Sequence, residues 1–262
     1  MTFFEIEEED PDSIFVKICG ITTEADALLA VGMGASAVGF VFAPSPRQMA
    51  PTVVADIVKR LPHGIVTVGV FRDEAPQRVI DIANHIGLGA VQLHGVESID
   101  DTRWVASRAA LTIKAFPAGH RNIDRFNEYG AELLLIDGAN PGSGELFDWR
   151  LAEGVLDPRR LIVSGGLRPE NVGAAIEHLH PWGVDVASGV EASPGVKDPG
   201  KLRDFIAAAR DAARAVARSK GASRSDPANR TGAGPDDGSD AGAASSVADE
   251  DGSRLFDWQR DS

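Results

Sequence analysis

Short apolar runs rich in valine, isoleucine and leucine recur along the chain, separated by segments of mixed polarity. They are Phe15-Val16-Lys17-Ile18, Ala37-Val38-Gly39-Phe40-Val41, Ile65-Val66-Thr67-Val68-Gly69-Val70 and Ala90-Val91-Gln92-Leu93. Four more follow: Leu111-Thr112-Ile113-Lys114, Leu133-Leu134-Leu135-Ile136, Leu161-Ile162-Val163 and Val184-Asp185-Val186. Near-continuous apolar runs, rather than strict alternation, mark strands buried on both faces, as in a parallel sheet. The segments between them carry helix-start residues. Thr22 or Thr23 can cap a helix through Val31. Pro51, Pro169 and Pro199 sit where a first helical turn begins, a position that tolerates a missing N–H.

Eight strands alternating with helices predict a single-domain (β/α)8 TIM barrel. Residues 15–217 supply the roughly 200–250 residues that such a barrel takes. An open, doubly wound sheet is the alternative. It usually has fewer strands, and no glycine-rich dinucleotide fingerprint follows the first run.

The pattern divides the chain into an acidic N-terminal extension (residues 1–14), a barrel (15–218) and a tail (219–262). The tail is rich in Gly, Ala, Ser and Asp, with few large apolar residues before Leu255. Such a segment buries too little to offset its ordering entropy and is expected to be disordered. Charge follows the same division. The net charge is −13. Residues 1–15 contribute six acids and no base, and residues 221–262 contribute nine acids against four arginines. The remaining body is therefore at −2, close to neutral. With no basic surplus to neutralise phosphates, nucleic-acid binding is disfavoured. No apolar run approaches the roughly 18 residues of a spanning helix, and the acidic start lacks the basic region of a secretory signal. The single cysteine, Cys19, excludes an intramolecular disulfide and a multi-cysteine metal site. A soluble, cytoplasmic protein without membrane contact is expected.

Reactive groups in such barrels lie at the C-terminal ends of the strands. Cys19-Gly20 follows the first run, Ser45-Pro46-Arg47 the second, His94-Gly95 the fourth and Asp137-Gly138 the sixth. Ser164-Gly165-Gly166 follows the seventh and Ser188-Gly189 the eighth. Glycines expose backbone N–H groups, and a helix N-terminus adds a positive dipole. Ser-Gly segments at both of the last two strand ends favour a phosphate site over plain tight turns. Cys19 has two readings, a small buried hydrophobe or a thiol lowered towards thiolate ahead of a helix start. Asp137 is a helix cap or loop residue, or a carboxylate at a reactive site. His94 is a packed histidine or a ligand contact. Arg47 is ordinary surface or an anchor for a substrate carboxylate. Asp185, inside an apolar run, is costly unless it meets a partner or ligand.

Lys17-Ile18-Cys19-Gly20-Ile21-Thr22 resembles the opening motif of the phosphoribosylanthranilate isomerase family. Gly39-Phe40-Val41-Phe42 with Ser45-Pro46-Arg47 is similar to the family's second-strand signature. Val68-Gly69-Val70-Phe71, Val91-Gln92-Leu93-His94-Gly95 and Ser164-Gly165-Gly166-Leu167 with Asn171 continue it in family order, as does Asp185-Val186-Ala187-Ser188-Gly189-Val190-Glu191. The resemblance spans residues 15–210. The loop from Gly138 to Glu145 is similar to the family's sixth loop but carries Ser143 where threonine is expected, a swap that keeps the hydroxyl.

The resemblance implies an Amadori rearrangement in tryptophan biosynthesis. N-(5-phosphoribosyl)anthranilate becomes 1-(2-carboxyphenylamino)-1-deoxyribulose 5-phosphate. It assigns Cys19 as general base, Asp137 as general acid and Arg47 to the anthranilate carboxylate; from their strand-end positions His94 and Asp185 are expected as further substrate contacts. It assigns Ser164, Gly165, Gly166, Ser188 and Gly189 to the phosphate. The reaction involves no redox change or hydrolysis, so no metal or other cofactor is expected. The partner is a small phosphorylated sugar, and a monomer is expected.

Two rival readings are open. The histidine-pathway phosphoribosyl isomerase uses aspartate where Cys19 stands. A non-catalytic phosphate-ligand binder needs neither Cys19 nor Asp137. Finally, Leu255-Phe256-Asp257-Trp258 in the tail repeats Leu146-Phe147-Asp148-Trp149. The repeat is either a chance match or a segment that docks on the barrel.

Overall fold

The computed structural model describes residues 14–138 and 160–224. The acidic extension up to Ser13, the sixth loop with Ser143, and both copies of the Leu-Phe-Asp-Trp sequence lie outside the described residues.

The apolar runs form eight parallel strands that pair in chain order and close on themselves. They are β1 (Phe15–Ile18), β2 (Ala37–Val41), β3 (Val66–Phe71), β4 (Ala90–Leu93), β5 (Thr112–Pro117), β6 (Leu133–Asp137), β7 (Leu161–Val163) and β8 (Gly183–Val186). The (β/α)8 barrel is therefore the observed fold, and the open-sheet alternative falls because β8 pairs with β1 in parallel.

Helices cover the outside: α1 (Glu24–Gly32), α2 (Pro51–Val58), α3 (Pro76–Ile86), α4 (Ile99–Ala106), α5 (Val172–Leu179) and α6 (Pro199–Arg224). Of the two possible caps for α1, Thr23 is the one used, its hydroxyl accepting from Asp26 N–H. Pro51 and Pro199 open α2 and α6 as expected. Pro169 does not open α5. It sits in a turn held by Asn171, whose side-chain oxygen accepts from Arg168 N–H, and α5 starts at Val172. The β5–β6 connection also departs from the helical expectation. It carries only a 3₁₀ turn, Phe126–Tyr129, closed by Gly130 at φ +71°. Phe126 and Tyr129, three residues apart, eclipse on one face of such a turn and are buried there. The last helix runs to Arg224, beyond the expected end of the barrel at residue 218.

Alternation along each strand decides what faces inward. Phe15, Ala37, Val68, Ala90, Ile113, Leu133, Leu135 and Ile162 form one buried cluster inside the barrel, with Trp182 packed against it. Phe15 and Trp182 stack at 4.4 Å. Val16, Ile18, Val38, Phe40 and Ile136 belong to a second cluster shared with the helices. Two residues further along the inward rows come Lys17, Gly39, Gln92, Asp137, Ser164 and Asp185, above the apolar plug. Cys19 and His94 extend the β1 and β4 rows past the strand ends. Polar residues in the sequence thus fall on the inner face at the C-terminal mouth, where water and substrate enter.

After β8 the chain makes a 3₁₀ turn, Ser188–Val190, then a short antiparallel hairpin of β9 (Glu191–Ser193) and β10 (Val196–Lys197). It then enters α6, which docks through the buried Leu202, Phe205, Ile206 and Ala209. Phe205 is fully buried. Phe205→Ala is expected to cost about 3–5 kcal/mol of stability, measured as a fall in the urea midpoint at unchanged slope.

Candidate active site

The strand ends enclose one cavity of about 570 Å³. Every site residue expected from the sequence lines it: Cys19, Arg47, His94, Asp137 and Asp185, together with the two Ser-Gly segments. The structure brings together residues from six of the eight strand ends.

Cys19 leaves β1 at its C-terminal end, its N–H donating to Val186 O at 2.8 Å. Below it Lys17 is fully buried and donates to Asp185 Oδ1 at 2.9 Å. Lys17 and Asp185 are register partners on β1 and β8, so the pair bridges the seam that closes the barrel. The cost expected for Asp185 is met by this partner and by Ser164, whose hydroxyl lies 3.4 Å from Oδ2. Burial works to lower the Lys17 pKa, but the Asp185 carboxylate outweighs it, with Cys19 adding, and the pKa rises. Gly39 makes room for this group. A Cβ there would lie 2.9 Å from Cys19 Sγ and 3.2 Å from Lys17 Cε.

One of the two sequence readings of Cys19 has a helix start lowering the thiol towards thiolate. The structure corrects this. Burial dominates and pushes the thiol up, Lys17 pulls it back, Asp185 pushes it up again, and Lys197 draws it down more weakly. The relevant cations are lysine side chains rather than a helix terminus, since α1 begins only at Glu24.

On the opposite side Asp137 ends β6, buried, with Oδ1 accepting from Gly138 N–H at 2.8 Å. His94 Nε2 stands 3.2 Å from Asp137 Oδ2, close enough to attract but off the hydrogen-bond line. His94 therefore meets the candidate acid directly. Gln92, two residues earlier on the inward row, lies 2.9 Å from His94 Nδ1 through its amide nitrogen. Among the described residues its Oε1 is buried without a partner. A buried acceptor left unpaired at a cavity wall is a place for a ligand donor.

Gly165 and Gly166 adopt φ of +87° and +68°. A Cβ on Gly165 would lie 2.1 Å from Gly138 N, so only glycine lets β7 pass this close to Asp137. A Cβ on Gly189 would meet Leu167 O at 1.9 Å, so the second Ser-Gly segment packs on the backbone that follows the first. Asn171 ties the first of them by donating to Gly166 O at 3.0 Å. Among the described residues no acceptor takes the N–H of Gly165, Gly166, Ser188 or Gly189. Backbone amides left free at one cavity wall are suited to an anion.

Arg47 is not ordinary surface. Its Nε and Nη2 donate to the two carboxylate oxygens of Glu191 at 2.8 and 2.7 Å. Its stem crosses Gly20, where a Cβ would lie 2.4 Å from Arg47 Cδ and where φ is +71°. The sequence reading missed Lys17, Gln92, Glu191 and Lys197 as site residues. For Lys17 and Gln92 the signal was present, since a lysine and a glutamine inside apolar runs need partners. Lys114 is a further buried lysine. It holds the β4–α4 loop by donating to Glu97 Oε2 at 2.7 Å and Gly95 O at 2.8 Å.

Among the described residues no three His, Cys, Asp or Glu side chains are placed to hold a metal ion, and no helix is long and apolar enough to cross a membrane.

A (β/α)8 barrel whose mouth gathers a thiol, a carboxyl group and two glycine segments has the layout of an enzyme of this fold. Comparison with known proteins narrows the class. The sequence profile described as N-(5'-phosphoribosyl)anthranilate (PRA) isomerase matches residues 16–208. The N-(5'-phosphoribosyl)anthranilate isomerase of Desulforudis audaxviator is 48% identical over 204 residues, covering 75% of this chain and 98% of that protein. The enzyme of that name from Thermotoga maritima is 46% identical over 197 residues, covering 73% and 96%. The crystal structure of phosphoribosyl anthranilate isomerase from Thermus thermophilus superposes with a TM-score of 0.69 at 42% identity, covering 74% of this chain and 98% of that one. Another crystal structure of the enzyme, in complex with reduced 1-(o-carboxyphenylamino)-1-deoxyribulose 5-phosphate, superposes with a TM-score of 0.68 at 43% identity, covering 76% and 100%. The chain belongs to the N-(5'-phosphoribosyl)anthranilate isomerase family and is an isomerase of tryptophan biosynthesis.

The burial of Cys19 has a measurable consequence. Because burial favours the protonated thiol, alkylation of this single cysteine by iodoacetamide should be slow at neutral pH. It should accelerate only above the ordinary thiol value of 9.0. The rate–pH profile of the ligand-free protein checks this, and a midpoint near neutrality would contradict the balance of charges described here.

Proposed function

We propose that Cys19 and Asp137 carry out the Amadori rearrangement of N-(5-phosphoribosyl)anthranilate as base and acid, with Arg47 holding the anthranilate carboxylate and the Ser164–Gly166 and Ser188-Gly189 segments holding the phosphate. The observation that carries this reading is that Cys19, Asp137, Arg47 and the unpaired amides all line one cavity. The solved relative bound to a reduced analogue of the product supports it, since that ligand bears a phosphate and a benzoate at its two ends.

Protonated Asp137 delivers its proton to the furanose oxygen as the bond from that oxygen to C1 breaks. The nitrogen lone pair forms the C1=N bond of a protonated Schiff base. Cys19, acting from the minor thiolate form that Lys17 and Lys197 favour, then removes the C2 hydrogen as a proton. The C–H electrons form C1=C2, and the C=N pair returns to nitrogen. A proton reaches C1 as the enol hydroxyl gives one up. When Cys19 supplies the first and Asp137 takes the second, both groups return to their starting states. His94 and Gln92 line the path of the sugar, and Gln92 Oε1 offers an acceptor to a sugar hydroxyl. Acid–base groups placed in this way contribute typically about 10²–10⁴-fold each.

Cys19→Ser and Asp137→Asn should each lower kcat at least about a hundredfold, with product-analogue binding little changed in calorimetry. Near-normal turnover in either variant removes that residue from its role. Arg47→Ala should raise KM about tenfold with a smaller effect on kcat, as when a contact common to ground and transition state is lost. A lowered kcat at unchanged KM would contradict the anchoring role.

In this reading the protein is a cytoplasmic monomer whose outer segments supply nothing to the reaction. The family match ends at residue 208, which supports the second point. A chain limited to residues 14–224 should keep kcat/KM within about threefold of the full chain, a change under about 1 kcal/mol in activation free energy. A folded but inactive truncated chain would refute this.

A further inference from the structure

The β9–β10 hairpin holds two buried charged side chains that the reaction does not consume. Lys197 is 3% exposed and Glu191 6%. Lys197 Nζ donates to Cys19 O at 2.6 Å, to Ala187 O at 3.2 Å and to Glu191 Oε1 at 3.0 Å. Glu191 in turn takes the Nε and Nη2 of Arg47. The hairpin itself is fixed. Lys201 Nζ donates to Glu191 O at 2.8 Å, and the Thr22 hydroxyl donates to Gly195 O at the hairpin turn.

Arg47 has five N–H donors in a planar fork. Glu191 occupies the Nε/Nη2 edge and leaves the Nη1/Nη2 edge unused among the described residues. A second carboxylate fits that edge in bidentate fashion. Glu191 is thus a splint that turns the free edge of Arg47 into a preset carboxylate seat. On its other side, the Lys197 ammonium clamps the backbone of Cys19 to the end of β8.

We propose that Glu191 and Lys197 are positioning residues that lock the substrate-carboxylate seat and the base to one rigid hairpin, with Lys197 also lending its charge to the Cys19 thiolate. This rests on the roles given above to Arg47 and Cys19. The groups facing the Cys19 thiol are Lys17 on β1, Asp185 on β8, Lys197 on β10 and Arg47 after β2. Two of the cations, Lys197 and Arg47, share Glu191 as counter-ion. With Lys197 protonated, neutralising Glu191 exposes the thiol to more positive charge, and neutralising Lys197 exposes it to less. The two substitutions must shift the thiol in opposite directions, which a purely structural role does not predict.

The single cysteine allows a direct test on the full chain. Alkylation rate against pH is measured for wild type, Glu191→Gln, Lys197→Gln and Lys197→Met, alongside kcat and KM. The Lys197→Gln amide keeps donors for the two carbonyls and removes only the charge, so it decides the matter if Lys197→Met fails to fold. Lys197→Gln should move the alkylation midpoint up by at least about half a pH unit and lower kcat more than it raises KM. Glu191→Gln should move the midpoint down and raise KM at least about fivefold. Shifts of the same sign, or unchanged midpoints with unchanged kinetics, overturn the proposal. Full activity in Cys19→Ser or an unchanged KM in Arg47→Ala would fault the assigned roles instead, and the opposite midpoint shifts would still stand.

Discussion

The seam between β8 and β1 is where a row of strands becomes a barrel, and a buried ion pair lies across it. Lys17 and Asp185 face each other in register in an interior where neither can be solvated. Such a pair gains little net stability, but removing one partner leaves an unpaired buried charge, a loss of roughly 3–5 kcal/mol. A one-residue slip of β1 would turn Lys17 and Cys19 away from the interior together. The pair therefore ties barrel closure to the placement of the thiol two residues further along. Asp185 also reaches Ser164, which leads into the glycine turn after β7, so the Lys17–Cys19 end of β1 and that turn share one support.

Close approach is the second constraint. The cavity depends on backbone segments nearer to one another than side chains allow. Gly165 passes Asp137 and Gly138, Gly189 touches Leu167, and Gly39 and Gly20 leave room for Cys19 and for the stem of Arg47. A methyl group at Gly165 or Gly189 would strike backbone, which cannot swing aside as a flexible side chain can. These glycines are thus required by volume, and Gly20, Gly165 and Gly166 also by positive φ. Above them, charged groups are paired before any substrate arrives: Arg47 with Glu191, Lys197 with Glu191, Lys114 with Glu97. Such preorganisation spares the reaction the cost of arranging dipoles and charges at the moment of proton transfer.

Much of this was legible in the chain itself. Near-continuous apolar runs can be satisfied only by a sheet covered on both faces, and eight of them at barrel spacing left little choice of architecture. Cysteine, aspartate and Ser-Gly segments at the ends of those runs line one cavity, because the ends of barrel strands open on the mouth. Pairing was not legible. Lys17 and Asp185 are 168 residues apart and Arg47 and Glu191 are 144 apart, and only closure of the barrel makes them neighbours. The state of Cys19 likewise follows from burial and from lysines on two different strands rather than from the adjacent helix start. The 3₁₀ turn between β5 and β6 was hidden because local pattern does not report how tightly Phe126 and Tyr129 are packed. The sequence by itself determined the fold and the chemical types at its mouth, since patterning and strand ends are local properties. The tertiary structure alone decided which charges face which, since electrostatic partners depend on distance in space and not along the chain.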